Sequence, residues 1–502
     1  MRNRLRNGAI ILIVAAGALL RSRDLLRPWV GVHNGWAGAV YGNIARNFVK
    51  YGYWATELGP VSSSGRVAQE QFEYYYHYPP LLVWLVSASF QVFGVHEWSA
   101  RLVPWVFSVA LMALIYFFAR RFYTERVALL ALIFSAIVPI EAYYGAHVDV
   151  YGTIVVFFTT LALYGYARWL ESSRTRDLAL CLAGVVLGCM TAWYTFFLVP
   201  LIIVHHRWVN AHRDKSRDRQ VWLTAGSALV VFGLFLLHRR LLMGSGRTEV
   251  YGTLLQKLLL RVSIQTPSGA KPGFIGLLTS QARDFAHLYS VPLVLLTGAW
   301  MGFFVKDALA KRLQAHDWFL LMLLGYGFLH NAAFPSFLLG HDFMIVCYMP
   351  GIAIAAAVAC ARLAVPIERR WGATASAVAV AALLIVSTVA ALRATTRLYS
   401  EDSDYPASLK RWGEIIRLNS HETDLVFACS PEDRILEWYA DRDMRFSIST
   451  PREFSDSTAR RPAALFVCPE RLAEKQRVFL DYLAGAYPRH DKDGLVLFVL
   501  RK

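Results

Sequence analysis

Long apolar runs constrain this chain more than any other feature. "GAIILIVAAGALL" (8–20), "VFSVALMALIYFF" (106–118), "VALLALIFSAIV" (127–138), "VYGTIVVFFTTLALYGYA" (150–167) and "SAVAVAALLIVSTVAAL" (376–392) are cores of segments long enough to enter a bilayer. Roughly 17–25 mostly apolar helical residues cross the hydrocarbon layer, where a helix satisfies its own backbone hydrogen bonds. Of the 502 residues, 56% are hydrophobic and 18% charged, with a mean hydropathy of +0.37. An ordinary soluble domain is excluded by that balance. The reading is a polytopic α-helical membrane protein. Its net charge of +16 does not point to nucleic acid. Lys and Arg gather at the ends of apolar runs, where they set orientation, and the implied partner is membrane lipid.

Eleven membrane helices are expected, roughly over 8–24, 100–119, 126–142, 149–169, 178–192, 194–207, 221–238, 289–305, 317–333, 342–361 and 373–393. The first reads as an uncleaved helix, because "GALLRSRDLLRP" offers no convincing small-x-small cleavage site. With "MRNRLRN" inside, the basic loops "ARRFYTER", "RWLESSRTRD", "HHRWVNAHRDKSRDR", "KDALAKR" and "ARLAVPIERR" share that side. The opposite short connections, "AYYGAHVD", "AW" and "NAAFPSFLLGHD", hold no Lys or Arg. This asymmetry puts the C-terminal segment outside, with a bacterial cytoplasmic membrane and a periplasmic outer face as the expected setting.

Two outer segments are long, 25–99 and about 239–288. "WAGAVYGNIARNFVKYG" places Val40, Ile44, Phe48 and Tyr51 on one face and Asn43, Arg46, Asn47 and Lys50 elsewhere, the pattern of an interfacial helix. "PPLLVWLVSASFQVFG" is apolar but too short to span comfortably, and is expected in the outer interface. Residues 1–393 thus read as a transmembrane domain. Residues 394–502 read as a small α/β domain outside the membrane, with "DLVFACS", "RFSIST", "AALFVCPE" and "GLVLFVLRK" as strands. "PEDRILEWYADRD" and "ERLAEKQRVFLDYLAGAYP" are the helical stretches between them.

The ordered polar punctuation of "YYHYPPLLVWLVSASFQVFGVHEWSARLVPWVFSVALMALIYFFARRFY", with "NIARNFVKYGYWAT" before it and "YYGAHVDVYGTIVVFFTTLALYGYARWL" after it, resembles one family. It is similar to the polyprenyl-phosphate-sugar-dependent membrane glycosyltransferases of the GT-C fold, the protein O-mannosyltransferase and lipid A aminoarabinose transferase type. The likeness covers residues 31–210 best. It implies inverting transfer of a sugar from a polyprenyl-phosphate donor to a lipid, glycan or protein acceptor at the outer face. It further implies a general base in the first outer loop, a second acid in the loop after the third helix, and basic groups on the lipid phosphate. The chemistry fits, because a lipid phosphate is already a good leaving group. What remains is to deprotonate a hydroxyl and stabilise phosphate charge.

The family's first-loop Asp belongs near "VHNGW", where this chain has His33-Asn34; its nearest acids are Asp24 and Glu57. Either His33 serves as the base, or His33 orients the loop while Asn34 caps a helix starting at Gly35. Asp149 in "GAHVDVYG" matches the family's second acid, and its position also suits a cap for a helix starting at Val150. His77, His147, His341 and Asp342 are expected on the same face, as groups for a sugar pocket. A divalent metal is possible with such residues but not required, since no known ligand spacing is present. Arg101 in "EWSARLVP" matches the family's Arg and is the first choice for the donor phosphate. Arg239, Arg240, Arg247, Lys257 and Lys271 are further basic candidates, Arg240 foremost. A lipid-linked sugar transporter and a catalytically inactive binding relative are the alternatives.

Four of the six cysteines fall in expected membrane helices, leaving Cys429 and Cys468 at the ends of two expected strands. Neighbouring strands about 4.8 Å apart would suit a disulfide. With the "RFSIST" strand between them, no bond could form.

Overall fold

The computed structural model describes residues 2–209, 217–244, 248–249, 254–262, 274–401 and 407–501. Its first half builds α1 (Arg2–Arg21), α2 (Trp36–Tyr51), α3 (Leu81–Phe93), α4 (Glu97–Phe122), α5 (Glu125–Ile137), α6 (Pro139–Tyr144), α7 (Thr153–Ser172), α8 (Thr175–Cys189), α9 (Tyr194–Val204) and α10 (Asp218–Met243). There follow α11 (Leu254–Val262), α12 (Phe274–Tyr289), α13 (Val291–Leu309), α14 (Ala315–Ala333), α15 (Pro335–Gly340) and α16 (Met349–Glu401). A helix lies under each of the expected apolar segments. Among the described residues, five helical stretches are both long and apolar enough to cross a membrane: α4, α7, α10, α13 and the stretch 342–401. α16 is bent at Gly372, whose φ of 83° no helix interior adopts. Its first arm takes in most of the expected helix 342–361, after a 3-10 turn over Asp342–Tyr348, and continues through the expected loop to the bend. Its second arm is the expected helix 373–393 and runs on to Glu401, past the expected domain boundary.

Helices α7 and α8 touch backbone to backbone. A Cβ added at Gly165 would fall 2.4 Å from Cys181 N, and one at Gly184 would fall 2.5 Å from Ala162 N. Small residues permit that approach where lipid supplies no hydrophobic drive. Beside them, the fully buried Arg21 joins α1 to α4, α5 and α6. It donates to Ser108 Oγ (2.8 Å), Ser135 O (2.6 Å) and Ala136 O (2.9 Å), with Glu141 Oε2 3.8 Å away. Ser108 and Thr153 hydroxyls donate to the same Glu141 carboxylate. A buried ion pair holds only with its remaining polar atoms satisfied, as these are.

Residues 407–501 form helices around a five-stranded sheet. The helices are α17 (Ser408–Leu418), α18 (Arg434–Ala440), α19 (Pro451–Arg460), α20 (Glu470–Ala473) and α21 (Arg477–Ala484). A two-stranded pairing of β1 (Glu73–Tyr74) with β2 (Thr248–Glu249) links the two long loops. The larger sheet has β3 (Leu425–Ala428), β4 (Asp443–Arg445), β5 (Leu465–Pro469), β6 (Arg489–Lys492) and β7 (Leu495–Val499), in the order β4-β3-β5-β7-β6. β3 is parallel to β4 and to β5, while β7 is antiparallel to β5 and β6. The expected "RFSIST" strand is mostly absent: the pairing ends at Arg445, and Ser447 has a φ of 61° that breaks the extended chain. β4 lies at the outer edge, so β3 and β5 are neighbours. Cys429 and Cys468 are joined by a disulfide, with Cα atoms 5.1 Å apart.

α2 is not the half-exposed surface helix its pattern suggests. Asn43, Arg46 and Asn47 are buried with the apolar residues. Asn43 donates to Ser62 O (2.9 Å), Asn47 to Val61 O (2.9 Å), and Arg46 to Trp438 O (3.0 Å). Its polar face is roofed by the 61–65 loop and by α18, which supply the partners water would otherwise provide.

Candidate active site

The segment entering α2 is held before it reaches His33. Arg101 donates to the carbonyls of Arg27 and Pro28, and its guanidinium lies 4.2 Å over the Trp29 ring. The Trp29 N–H donates to Tyr439 Oη at 2.8 Å, and Tyr439 donates to Glu97 at 2.8 Å. Trp29 also fills the space over Gly38, where a Cβ would sit 2.2 Å from the ring. From this clamp, residues Gly31–Gly35 make a π-helical turn that presents His33.

On the other side, the chain between α6 and α7 turns sharply at Asp149. Asp149 Oδ1 accepts from the Tyr151 N–H at 2.8 Å, and Oδ2 lies 3.2 Å from His33 Nε2. The His33 side chain is 27% exposed and Asp149 8%, so the imidazole is the member of the pair that meets solvent. Phe343 stacks on the His33 ring with centroids 3.9 Å apart. His341 stands edge-on at 5.9 Å and His147 at 6.4 Å. His147 is buried, and its Nε2 has no hydrogen-bond partner. Burial, then the charges of His33 and Arg101, press its imidazole well below the usual value, which keeps it neutral. Asp342 accepts from Tyr144 Oη at 2.8 Å. Burial, then Asp342, push the nearby Asp284 carboxyl up to about 6.

A row of aromatic side chains runs away from Asp149. Tyr151 packs edge-on against Tyr78 at 5.3 Å, Tyr78 lies 6.4 Å from Tyr75, and Tyr75 meets Tyr41 at 6.0 Å and His77 at 4.8 Å. Burial raises the Tyr75 and Tyr78 phenols above their ordinary range, so both remain neutral donors. Arg261, buried at the end of α11, donates to Tyr78 Oη at 2.6 Å.

The structure therefore brings together His33, Asp149, His147 and His341, with Asp342 joined through Tyr144 and His77 at the far end of the aromatic row. Arg101 stands apart, behind the loop, spent on backbone carbonyls. Arg240 is exposed in the last turn of α10; Arg247 and Lys271 lie outside the described residues. Two capping expectations fail. Asn34 is buried but makes no cap, since α2 starts after Gly35 with no side-chain cap. Asp149 closes a two-residue turn onto Tyr151, while α7 begins at Thr153. Arg261 was not anticipated. Among the described residues, no group of three or more His, Cys, Asp or Glu side chains is arranged to hold a metal ion.

Residues 77–238 match the family model described as dolichyl-phosphate-mannose-protein mannosyltransferase. A curated relative, an uncharacterized protein of Aquifex aeolicus (strain VF5), is 37% identical over 92 residues. That match spans 18% of this chain and only 22% of the relative. In fold, the chain is similar to ArnT from Cupriavidus metallidurans bound to undecaprenyl phosphate. The TM-score is 0.63 at 16% identity, over 98% of each chain. It is also similar to the oligosaccharyltransferase AglB from Archaeoglobus fulgidus, in complex with an inhibitory peptide and a dolichol-phosphate. There the TM-score is 0.63 at 14% identity, over 100% of this chain and 75% of that one. The chain is thus similar in sequence to that mannosyltransferase family over residues 77–238, and similar in fold to ArnT and AglB over nearly its whole length.

Proposed function

We propose that this protein transfers a sugar from a polyprenyl-phosphate donor to a hydroxyl of a lipid, glycan or protein acceptor, with inversion, at the outer face of the membrane. The observation that carries this reading is the His33–Asp149 pair, 3.2 Å apart at the end of the bundle where the long loops converge. Asp149 is fixed at both oxygens. Accepting the Nε2–H of His33 leaves the lone pair on Nδ1, the tautomer a general base needs. The acceptor hydroxyl gives its proton to Nδ1 as its oxygen attacks the anomeric carbon. The bond from that carbon to the phosphate oxygen breaks, and its electron pair leaves on the lipid phosphate. Asp149 stabilises the imidazolium that forms. Arg261 and the neutral Tyr78 phenol supply charge and hydrogen bonds to the departing phosphate. One displacement at carbon gives inversion. The carriers named for the ArnT and AglB structures, undecaprenyl phosphate and dolichol-phosphate, support a polyprenyl carrier here.

In this arrangement the eleven apolar segments span the membrane and the sheet layer, residues 407–501, lies outside. Cysteines introduced at Arg452 and Arg312 would be labelled and protected, respectively, by an impermeant reagent applied from outside. Incubating the purified protein with radiolabelled polyprenyl-phosphate sugar and a membrane extract should yield a labelled acceptor and free polyprenyl phosphate in equal amounts. Label that stays on the donor while the donor crosses the bilayer would favour a transporter instead.

A further inference from the structure

A cavity of about 410 Å³ separates the C-terminal layer from the start of α4. It belongs to neither the His33–Asp149 site nor the aromatic row. Its floor is Trp438 and Tyr439 of α18. Arg46, also in its wall, is buried; Nη1 donates to Trp438 O and Nη2 pairs with Asp441 at 3.1 Å, while Nε has no hydrogen-bond partner. Two exposed cations, Lys410 and Arg417 on α17, stand at the rim, Lys410 5.8 Å from the Tyr439 ring centroid. The carboxylate of Glu414 lies between them in sequence and lines the same cavity.

The position narrows the occupant. Val95, His96 and Glu97 border the cavity at the point where α4 begins its apolar run. Val92 and Phe93, the last residues of α3, are 72% and 47% exposed immediately before them. A cavity lined by Arg46, Lys410 and Arg417 and equally by the acids Glu97, Glu414 and Asp441, beside exposed apolar side chains, suits an amphiphile with a zwitterionic head.

We propose that this cavity seats the phosphate-bearing headgroup of a membrane lipid. The phosphate accepts from Lys410 and Arg417, charge-assisted bonds of the strong kind. Glu414 faces a headgroup ammonium, and the acyl chains leave over Val92 and Phe93. Phosphatidylethanolamine has this combination of charges. Bound there, the lipid would fasten α17 and α18 to the membrane surface, and through Tyr439 the loop that leads to His33.

The test is native mass spectrometry of the full-length protein in mild detergent, titrated with dioleoyl phosphatidylethanolamine. The expected result is one saturable lipid adduct, weakened roughly 10-fold or more by the double substitution Lys410→Glu with Arg417→Glu. Diacylglycerol, which lacks the phosphate, should give no saturable adduct. Lys410→Gln with Arg417→Gln keeps the proposal testable if charge reversal unfolds the layer, and should weaken the adduct less. Displacement of the adduct by polyprenyl phosphate would make the carrier lipid an occupant of the same phosphate seat. Resistance to it would assign the seat to bilayer phospholipid. Equal affinity in both folded variants and the parent protein, or equally tight diacylglycerol, would overturn the proposal. Neither result depends on sugar transfer, since none of these residues belongs to the proposed catalytic site.

Discussion

Asp149 Oδ2 lies 3.2 Å from His33 Nε2, across 116 residues of sequence. The contact needs two independent supports. The Tyr151 N–H fixes the Asp149 turn, and the Arg101–Trp29–Tyr439 clamp fixes the chain leading to His33. The C-terminal layer is therefore part of the scaffold of the candidate site, although its own residues stand back from the His33–Asp149 pair.

Arg261 is expected to hold donor phosphate. Arg261→Ala should raise the KM for polyprenyl-phosphate sugar on the order of 10- to 100-fold, the worth of a hydrogen bond to a charged group. Arg261→Lys should recover part of the loss, because the charge remains but the fork is gone. An unchanged donor KM in both variants would remove Arg261 from the site.

Glu437 gives stability a measurable pH dependence. Burial, partly offset by Arg434 at 2.6 Å, pushes its carboxyl up from 4.5 to about 7. The folded protein then keeps a proton that the unfolded chain releases. The stabilisation is complete below pH 4.5 and is lost as pH rises through about 7, to the extent of about 3 kcal/mol. Melting of the parent protein and Glu437→Gln, compared from pH 5 to 8, should show the steeper fall in the parent. Parallel curves would contradict the assignment.

The Cys429–Cys468 bond closes a loop with a sequence separation of 39. Non-reducing digestion should recover the two peptides linked, and Cys468→Ala should destabilise the layer by about 4 kcal/mol on the chain-entropy model. Two freely alkylated thiols in oxidised, folded protein would refute the pairing.

The apolar runs made the helices legible, because length and hydropathy alone decide what enters a bilayer. The break at Gly372 falls just after the basic segment "ARLAVPIERR" that the charge pattern marks as a loop and that the structure continues as helix. Asp149 and His33 were legible as polar punctuation in matching places. The partners of Arg101 were not legible for a physical reason: an arginine at a helix end turns to lipid phosphate, to headgroups or to backbone carbonyls, and only packing decides. Arg261 was hidden in "LLQKLLLRV", which reads as a helix facing lipid until the Tyr78 hydroxyl is placed beside it. The polar face of α2 pointed to water on periodicity alone, because its roof comes from an irregular loop at 61–65 and from α18, 392 residues further along the chain at the Arg46–Trp438 contact. In the sheet, "RFSIST" alternates like a strand, yet Ser447 leaves the extended region and the regular ladder with β3 stops before it.

The most direct test of the central claim is single-turnover consumption of polyprenyl-phosphate sugar by the parent protein and Asp149→Asn, with donor binding measured in parallel. The substitution keeps side-chain size but removes the charge that orients His33 and stabilises its imidazolium. Polyprenyl phosphate release should slow roughly 10²–10⁴-fold while donor affinity changes little, and His33→Ala should show a loss of the same order. Release at a near-parental rate in folded Asp149→Asn would contradict the account.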